Sequence, residues 1–85
     1  MFYVYLLDHI QDKTWYIGYT TNLERRLSEH QNGGGSRTTS LKKGNYKLIY
    51  YEAYLNKQDA TSREKYLKSG SGRKYIKKQL RNYLS

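Results

Sequence analysis

The chain has no cysteine among its 85 residues. It therefore cannot build a disulfide framework or a zinc site with cysteine ligands, and this absence is typical of proteins of the reducing cytoplasm, where we expect the protein to act. It also has no run of about 18 apolar residues, so no segment is predicted to span a membrane. The apolar start, residues 1–7, lacks a basic lead-in and a small-residue cleavage site, which favours a β-strand over a signal peptide.

Acidic residues are scarce as well. Seven Asp and Glu stand against 16 Lys and Arg, so the formal net charge is +9. Such an excess of positive charge on a small body attracts polyanions and favours nucleic acid as the partner. The alternative interpretations are ordinary solubilising charge and a ribosome-associated protein. The length predicts a single domain, residues 1–85, with a thin core.

Tyrosine, in contrast, is abundant, at 11 of the 85 residues. A tyrosine brings apolar ring area together with a hydroxyl that must find a partner when it is buried. A small core does not need so many, and we therefore expect some of these tyrosines to do more than pack.

Hydrophobic patterning predicts three strands and three helices in the order β-β-α-β-α-α, an α/β architecture with a small sheet. Residues 2–7 and 14–19 are rich in aromatic and β-branched side chains and form a predicted antiparallel hairpin. A third strand is expected at residues 47–55.

The first helix is predicted to begin at a capping box formed by Thr21 and Glu24 and to end near Gln31. Residues 33–44, which are mostly Gly, Ser, Thr and Lys, then indicate a mobile loop.

Two further helices are predicted after the third strand. The second begins at Asn56, a suitable N-cap, and ends near residues 69–70. The third covers residues 73–84 and carries an apolar stripe opposite a strongly basic surface.

The first helix carries a basic pair in an unusual place. Because successive helical residues are about 100° apart, Leu23, Leu27 and His30 share one narrow sector, with Arg26 beside them and Arg25 pointing nearly the opposite way. Arg26 and His30 therefore lie in the sector that should face the sheet. Either they have a functional role, or both reach solvent from the edge of the helix.

A carboxylate interrupts the apolar stripe of the second helix. Ala60, Glu64 and Leu67 share one face, and an inward carboxylate needs a cation or a metal as partner. An ion pair between Glu64 and Lys68, one helical turn apart, is the plain structural alternative. Magnesium keeps several of its waters, so a single Glu can be enough to hold it.

The hairpin contributes a third group. Tyr3 and Tyr5 share one face of the first strand, and Tyr16 shares a face with Gly18 in the second. A glycine inside a strand often marks the close approach of another group. Ordinary cross-strand aromatic packing is the alternative.

Taken in order, these residues resemble the GIY-YIG nuclease family, which is named for two short motifs on its opening hairpin. Tyr16-Ile17-Gly18 is an intact second motif. Tyr5 matches the tyrosine of the first, whereas Tyr3 and Val4 replace its usual glycine and isoleucine. The resemblance is closest to short stand-alone bacterial members, which are similar to the N-terminal nuclease domain of the incising component of the excision-repair endonuclease.

The resemblance covers essentially the whole chain and implies a three-stranded antiparallel sheet flanked by helices. Arg26 and His30 match the essential arginine of the family and the His or Tyr that follows one turn later, and Glu64 matches its metal-binding glutamate. Many members also have an asparagine near the end of the domain, where this chain has Ser69-Gly70-Ser71-Gly72-Arg73 instead.

The activity implied by the resemblance is magnesium-dependent hydrolysis of phosphodiester bonds, with DNA as the expected substrate and DNA repair as the related process. Glu64 would hold one Mg²⁺ or Mn²⁺ ion and Arg26 would stabilise the developing charge. Tyr16 or Tyr5 would orient or deprotonate the water, and His30 could hydrogen-bond a tyrosine or a phosphate.

A site with one metal is expected because, of the seven acids, only Glu64 lies on an inward helical face. Glu52, in the third strand, is the rival ligand. Two other functions stay open. One is a nucleic-acid-binding module without catalysis, which uses the basic third helix and residues 33–44. The other is a nuclease subunit that cuts only when a protein partner supplies specificity.

Overall fold

The computed structural model describes residues 1–11, 13–31 and 46–85. The predicted loop at residues 33–44 lies outside these ranges. The described chain begins with the expected hairpin, helix and strand and then continues with helices to its end. The elements are β1 (Phe2–His9), β2 (Trp15–Thr20), α1 (Leu23–Gln31), β3 (Tyr46–Tyr54), α2 (Lys57–Leu67), α3 (Gly70–Gln79) and α4 (Arg81–Leu84).

The three strands form one sheet in the order β2-β1-β3, and both neighbouring pairs are antiparallel. Tyr5 in the central strand lies opposite Gly18 on β2 and Tyr51 on β3. The pairing with β3 has an irregularity between Leu6 and Leu7. The predicted three-stranded antiparallel sheet is therefore confirmed.

Helices cover both faces of this sheet, because side chains alternate between its two sides along each strand. One face buries an aliphatic core whose strand residues pack against α2 and α3, namely Val4, Leu6, Ile17, Ala60, Leu67 and Ile76. The other face buries Tyr5, Leu7 and Tyr46, against which Leu23 and Leu27 of α1 pack. We call these the α2/α3 face and the α1 face.

The α2–α3 junction depends on a glycine. A Cβ atom added to Gly72 would lie 2.8 Å from the carbonyl carbon of Leu67, and closer still to other backbone atoms of α2. Only a residue without a side chain allows the two helices to approach so closely. Ser69 caps α3 by accepting a hydrogen bond from the backbone N–H of Gly72 at 3.2 Å.

Two predicted helix boundaries were wrong. Asn22, rather than Thr21, caps α1, because its Oδ1 accepts a hydrogen bond from the N–H of Arg25 at 3.0 Å. The third helix starts at Gly70 rather than Arg73, since Ser69 supplies the cap, and it divides at Leu80 into α3 and α4.

Asn56, in contrast, caps α2 as predicted, and its Oδ1 accepts hydrogen bonds from the N–H groups of Gln58 and Asp59 at 2.8 and 3.3 Å. None of the helices in the described ranges has the length and apolar character needed to cross a membrane.

Candidate active site

Tyr5 lies across the neighbouring strand on the α1 face. A Cβ atom added to Gly18 would be 2.6 Å from Cζ of Tyr5 and closer still to the hydroxyl oxygen. Any side chain at position 18 would therefore displace the ring. This contact gives the glycine of the Tyr16-Ile17-Gly18 motif a physical reason, which is to leave space for the Tyr5 side chain.

His30 is surrounded by tyrosine rings and is fully buried. The centroids of the Tyr16, Tyr46 and Tyr5 rings lie 4.6, 5.7 and 5.9 Å from the centre of its imidazole. The Tyr5 hydroxyl and His30 Nε2 form a buried hydrogen bond of 3.1 Å, in which the tautomer of the ring decides the donor. We call His30 and these three tyrosines the Tyr–His cluster.

The second imidazole nitrogen of His30 is not satisfied in the same way. Nδ1 is buried and has no hydrogen-bond partner among the described residues. Burial and the positive charge of Arg26 lower the pKa of His30 below its ordinary value, although Glu29 acts in the opposite direction. The imidazole is therefore neutral near pH 7 and keeps one donor and one acceptor nitrogen.

The environment of Tyr5 suppresses its ionisation. Burial raises the pKa of its hydroxyl above the ordinary value of 10.0, and Tyr16 and the negative charge of Glu64 raise it further. The positive charge of Arg26 lowers it. The charges of Arg26 and Glu64 thus both act on the Tyr5 hydroxyl, although the two residues lie on helices that cover opposite faces of the sheet.

Arg26 lies on α1, one turn before His30, and remains partly accessible. Its side chain is 30% exposed, and its Nη1 is 3.5 Å from Oε1 of Glu29. A guanidinium at the edge of a buried aromatic cluster can meet an incoming anion with its charge only partly screened. The predicted sharing of one helical sector by Arg26, Leu27 and His30 agrees with this placement.

Glu64 lies on α2 between the buried residues Ala60 and Leu67, as its helical spacing predicts. Its side chain is 22% exposed, and Lys68 Nζ approaches its Oε2 to 3.0 Å. The ion pair weighed as the structural alternative is therefore present, and it coexists with the influence of Glu64 on Tyr5. Within residues 1–11, 13–31 and 46–85, no group of three His, Cys, Asp or Glu could together hold a metal ion.

Comparison with known proteins decides the family. A model of the GIY-YIG catalytic domain matches residues 1–80 of the chain. The chain belongs to the GIY-YIG family. The resemblance read from the five residues Tyr5, Tyr16, Arg26, His30 and Glu64 is thereby confirmed at the level of the family.

Relatives of this GIY-YIG domain are bacterial. It is 46% identical over 68 residues to a UPF0213 protein of Clostridium perfringens, a match that covers 80% of this chain and 71% of the relative. It is 42% identical over 77 residues to a UPF0213 protein of Pediococcus acidilactici, covering 89% and 78%. These names state no activity.

A solved relative supports the fold. The solution NMR structure of a UPF0213 protein from Bacillus halodurans has 33% sequence identity and a TM-score of 0.55, and the match covers 89% of this chain and 82% of that one. The α/β architecture of the GIY-YIG domain is therefore shared with a related protein.

Glu52, the rival metal ligand, lies on the α2/α3 face of the GIY-YIG domain, away from the Tyr–His cluster. Arg63 donates two hydrogen bonds to its carboxylate, at 2.9 and 3.1 Å, and Tyr50 and Tyr54 each donate one through their hydroxyls. Burial alone would raise the pKa of Glu52, but the hydrogen bonds and the charge of Arg63 lower it below its ordinary value. The carboxylate is fully occupied and does not belong to the candidate site.

Two features of this GIY-YIG domain were not found by sequence reasoning. Tyr46 joins the Tyr–His cluster from β3, and Arg63 pairs with Glu52 across the α2/α3 face. Both depend on how β3 pairs with β1, and nothing local in the sequence specifies that register. The tyrosines that flank Glu52 at two-residue spacing were the available signal, since they predict hydroxyls on the same face as the carboxylate.

Proposed function

We propose that this protein is an endonuclease that uses one divalent metal ion to hydrolyse phosphodiester bonds, with DNA as its substrate. The observation that carries the proposal is the Tyr–His cluster, in which a buried Tyr5 is influenced by both a cation, Arg26, and a carboxylate, Glu64. Hydrolysis of a phosphodiester needs an activated water, stabilisation of charge at phosphorus and help for the leaving oxygen. Membership of the GIY-YIG family supports this assignment.

Arg26 is assigned to the charge at phosphorus. A guanidinium can donate to two phosphate oxygens at once and stays protonated under all physiological conditions. Its partial exposure keeps it accessible to a backbone phosphate. The contact with Glu29, at 3.5 Å, is weak and can be exchanged for a phosphate at little cost.

Tyr16 is assigned to the attacking water and Tyr5 to its positioning. Tyr16 is half-buried and therefore accessible, whereas Tyr5 is only 3% exposed. The raised pKa of Tyr5 makes its phenolate costly to form, so its hydroxyl serves better as a fixed hydrogen-bonding group. His30, neutral and hydrogen-bonded to Tyr5, would hold that hydroxyl in place.

Glu64 is the residue that would hold the metal. One partly exposed carboxylate beside the Tyr–His cluster suits Mg²⁺ or Mn²⁺, which take few protein ligands and keep several waters. When bound, such an ion supplies positive charge at the scissile phosphate and lowers the pKa of a coordinated water. Lys68 would release the carboxylate, because an exposed ion pair one helical turn apart is worth only a few tenths of a kcal/mol.

The charge of +9 supports a polyanionic substrate and fast, salt-sensitive encounter. A chain of 85 residues has little surface for reading sequence, since even single recognition modules bury about 600–1,000 Å². We therefore expect weakly specific or structure-selective cutting, with targeting by a protein partner where the cell requires a defined site.

Plasmid nicking tests the proposal. Supercoiled plasmid is incubated with the protein and Mg²⁺, and nicked and linear forms are quantified over time. Glu64→Gln and Arg26→Ala should each reduce cleavage by at least about 100-fold, because each removes a group that stabilises the transition state. Arg25→Ala, on the opposite side of α1, and Asp59→Asn, on the exposed first turn of α2, are the matched controls and should cut like the wild type.

Equal nicking by wild type, Glu64→Gln and Arg26→Ala would overturn the assignment. A wild-type protein that binds DNA in a salt-dependent manner, but cleaves it with no divalent metal, would support the binding-module interpretation instead. Circular dichroism of each variant establishes that a loss of cutting is not a loss of folding.

A further inference from the structure

A cleft of about 910 Å³ lies where the β1–β2 hairpin meets the two C-terminal helices. Four cationic side chains line it, and two aromatic rings form part of its wall. They are Lys13, Arg73, Lys77 and Arg81, with Trp15 and Tyr83. We call this the C-terminal cleft. No member of the Tyr–His cluster lines it, and neither Arg26 nor Glu64 does.

Helical spacing places three of these cations together. Arg73, Lys77 and Arg81 follow one another at intervals of four residues, so they form a row along α3 that continues into α4. All three are exposed. None forms an ion pair with a carboxylate in the described part of the chain, so their charges are available to a ligand.

Lys13 completes the set from the hairpin. Its backbone adopts φ 61°, in the left-handed region that side-chain-bearing residues rarely enter. The turn is closed by hydrogen bonds from Lys13 N–H to the His9 carbonyl, at 2.9 Å, and from His9 N–H to the Thr14 carbonyl, at 2.8 Å. A lysine is thus kept at a position where glycine would be less strained.

Trp15 occupies a boundary position in the cleft. It is half-buried and packs against the aliphatic core, and it also lines the cleft. Because Trp15 and Tyr16 are consecutive residues of β2, their side chains project from opposite faces of the sheet. The C-terminal cleft and the Tyr–His cluster are therefore separate sites on the two sides of one strand.

The wall opposite the hairpin is held in place by Tyr83. Its hydroxyl donates to Asp8 Oδ2 at 3.1 Å, and Lys47 Nζ lies 5.4 Å from the centre of its ring. Among the described residues, Asp8 is the one carboxylate side chain that lines the cleft, and it is occupied by this hydrogen bond. The described lining of the cleft therefore carries a clear excess of positive charge.

We propose that the C-terminal cleft binds single-stranded nucleic acid, with phosphates on the four cations and an unpaired base against Trp15. The inference rests on the proposed function for the class of ligand and adds where, and in which form, the substrate is held. Cationic side chains interleaved with aromatic rings are how proteins bind single strands, since phosphates follow the charge and bases stack on the rings. In a duplex the base faces are already stacked on one another and are not available to an aromatic wall.

Trp15 provides its own assay, because it is the single tryptophan of the chain. A short single-stranded DNA oligonucleotide is titrated into the protein in buffer without divalent metal, and tryptophan fluorescence is recorded. We expect saturable quenching by the single strand and much weaker quenching by the matching duplex. Because no metal is present, binding is measured independently of cleavage, and failure of either proposal is distinguishable from failure of the other.

Charge variants locate the binding. Affinity for a labelled oligonucleotide, measured by anisotropy, should fall about tenfold or more in Arg73→Ala/Lys77→Ala/Arg81→Ala. The slope of log K against log salt should decrease by about 2, since each phosphate contact on a single strand contributes about 0.7. Lys57→Ala/Lys65→Ala/Lys74→Ala removes the same charge outside the cleft and should bind within about twofold of wild type. Lys13→Gly, which relieves the left-handed backbone, should weaken binding while preserving the turn.

Ring variants test the stacking. Trp15→Leu should weaken binding about fivefold or more, whereas Trp15→Phe, which keeps an aromatic face, should retain most of it. Circular dichroism confirms that both variants are folded. Equal loss of affinity in the two charge triples, or tighter binding of duplex than of single strand with unchanged Trp15 fluorescence, would overturn the proposal.

Discussion

On the α2/α3 face of the sheet, Glu52 accepts two hydrogen bonds from Arg63 and one each from Tyr50 and Tyr54. Arg63 is also packed over an aromatic ring, with its guanidinium carbon 4.5 Å from the centre of Tyr75. Every charge in this group has an opposite charge or a hydroxyl against it. The hydrogen bonds and the neighbouring charge raise the pKa of Arg63 and lower that of Glu52, so both remain ionised.

On the α1 face, the Tyr–His cluster is built from similar side chains and is less completely satisfied. Nδ1 of His30 is buried without a partner in the described ranges, and Tyr5 is held protonated by burial. The charges that act on Tyr5, from Arg26 and Glu64, belong to partly exposed side chains.

The difference separates structure from function. A buried polar group whose hydrogen bonds are complete stabilises the fold, whereas an incomplete and partly accessible group costs stability and is kept where a ligand completes it. The Glu52 network therefore stabilises the sheet–helix packing, and the Tyr–His cluster is the place to look for chemistry. Substitutions matched across the two faces test this comparison.

The largest effect is expected for tyrosine hydroxyls. Tyr16→Phe should lower the rate of plasmid cleavage by at least about 100-fold, since it removes the group assigned to the water. Tyr5→Phe should lower the rate about tenfold, because it removes a positioning hydrogen bond. Tyr50→Phe on the other face should leave the rate per folded molecule unchanged and reduce the free energy of unfolding by about 1–2 kcal/mol. A loss of rate in Tyr50→Phe equal to that in Tyr16→Phe would remove the distinction.

Glycine substitutions should separate the faces by packing. Gly18→Ala should cost about 1–3 kcal/mol of unfolding free energy and reduce cleavage, because the new Cβ displaces Tyr5. Gly72→Ala should destabilise by pushing α3 away from Leu67, with the rate per folded molecule retained. Gly70→Ala, whose Cβ would meet nothing within 4 Å, is the control and should stay within about 0.5 kcal/mol of wild type. Urea denaturation measures all three.

The two faces should also respond to acid in different pH ranges. The pKa of His30 is lowered from its ordinary 6.5, so the unfolded chain binds this proton more tightly than the folded one. Stability from this group is complete above pH 6.5 and decreases as the pH falls below it, by at most about 1.4 kcal/mol per pH unit. The lowered pKa of Glu52 acts only below its ordinary 4.5, where protonation breaks the pair with Arg63.

Urea denaturation at a series of pH values distinguishes these contributions. His30→Gln should flatten the decrease that begins at pH 6.5 and leave the decrease below pH 4.5 intact, whereas Glu52→Gln should do the reverse. Parallel curves for wild type and His30→Gln between these values would show that His30 is not the group that titrates.

The smallest effect concerns the ion pair of Glu64 with Lys68. Lys68→Ala should change the free energy of unfolding by less than about 0.5 kcal/mol, because its pair with Glu64 is solvent-exposed. It should also lower the Mg²⁺ concentration for half-maximal cleavage about twofold, since the lysine no longer competes with the metal for Glu64. Lys65→Ala, on the same helix, is the control. A higher metal requirement in Lys68→Ala would contradict the assignment of Glu64.

Much of the candidate site was predictable from residue spacing. Helical geometry favoured Arg26 over Arg25 and placed Glu64 on the apolar stripe of its helix, and strand alternation placed Tyr16 on the same face as Gly18. These inferences hold because they depend only on backbone periodicity within one element. The cap of α1 was misassigned because Thr21 and Asn22 are both good caps and adjacent, and the local sequence does not distinguish them.

Contacts between elements were beyond this reasoning. The place of Tyr46 beside His30 depends on the pairing of β1 with β3. The pairing of Glu52 with Arg63 depends on where α2 crosses the sheet. Many arrangements satisfy the same periodicity, and packing selects among them through contacts that are distant in the chain.

By itself, then, the sequence determined the basic charge, the order of the elements, the family and the side chains able to act on a phosphodiester, because composition and periodicity are local properties. Only the tertiary structure decided which polar groups are complete and which remain available, since a hydrogen bond between strands and helices exists only after they pack. It also separated Trp15 from Tyr16, consecutive residues that face a basic cleft and the Tyr–His cluster on the two sides of one strand.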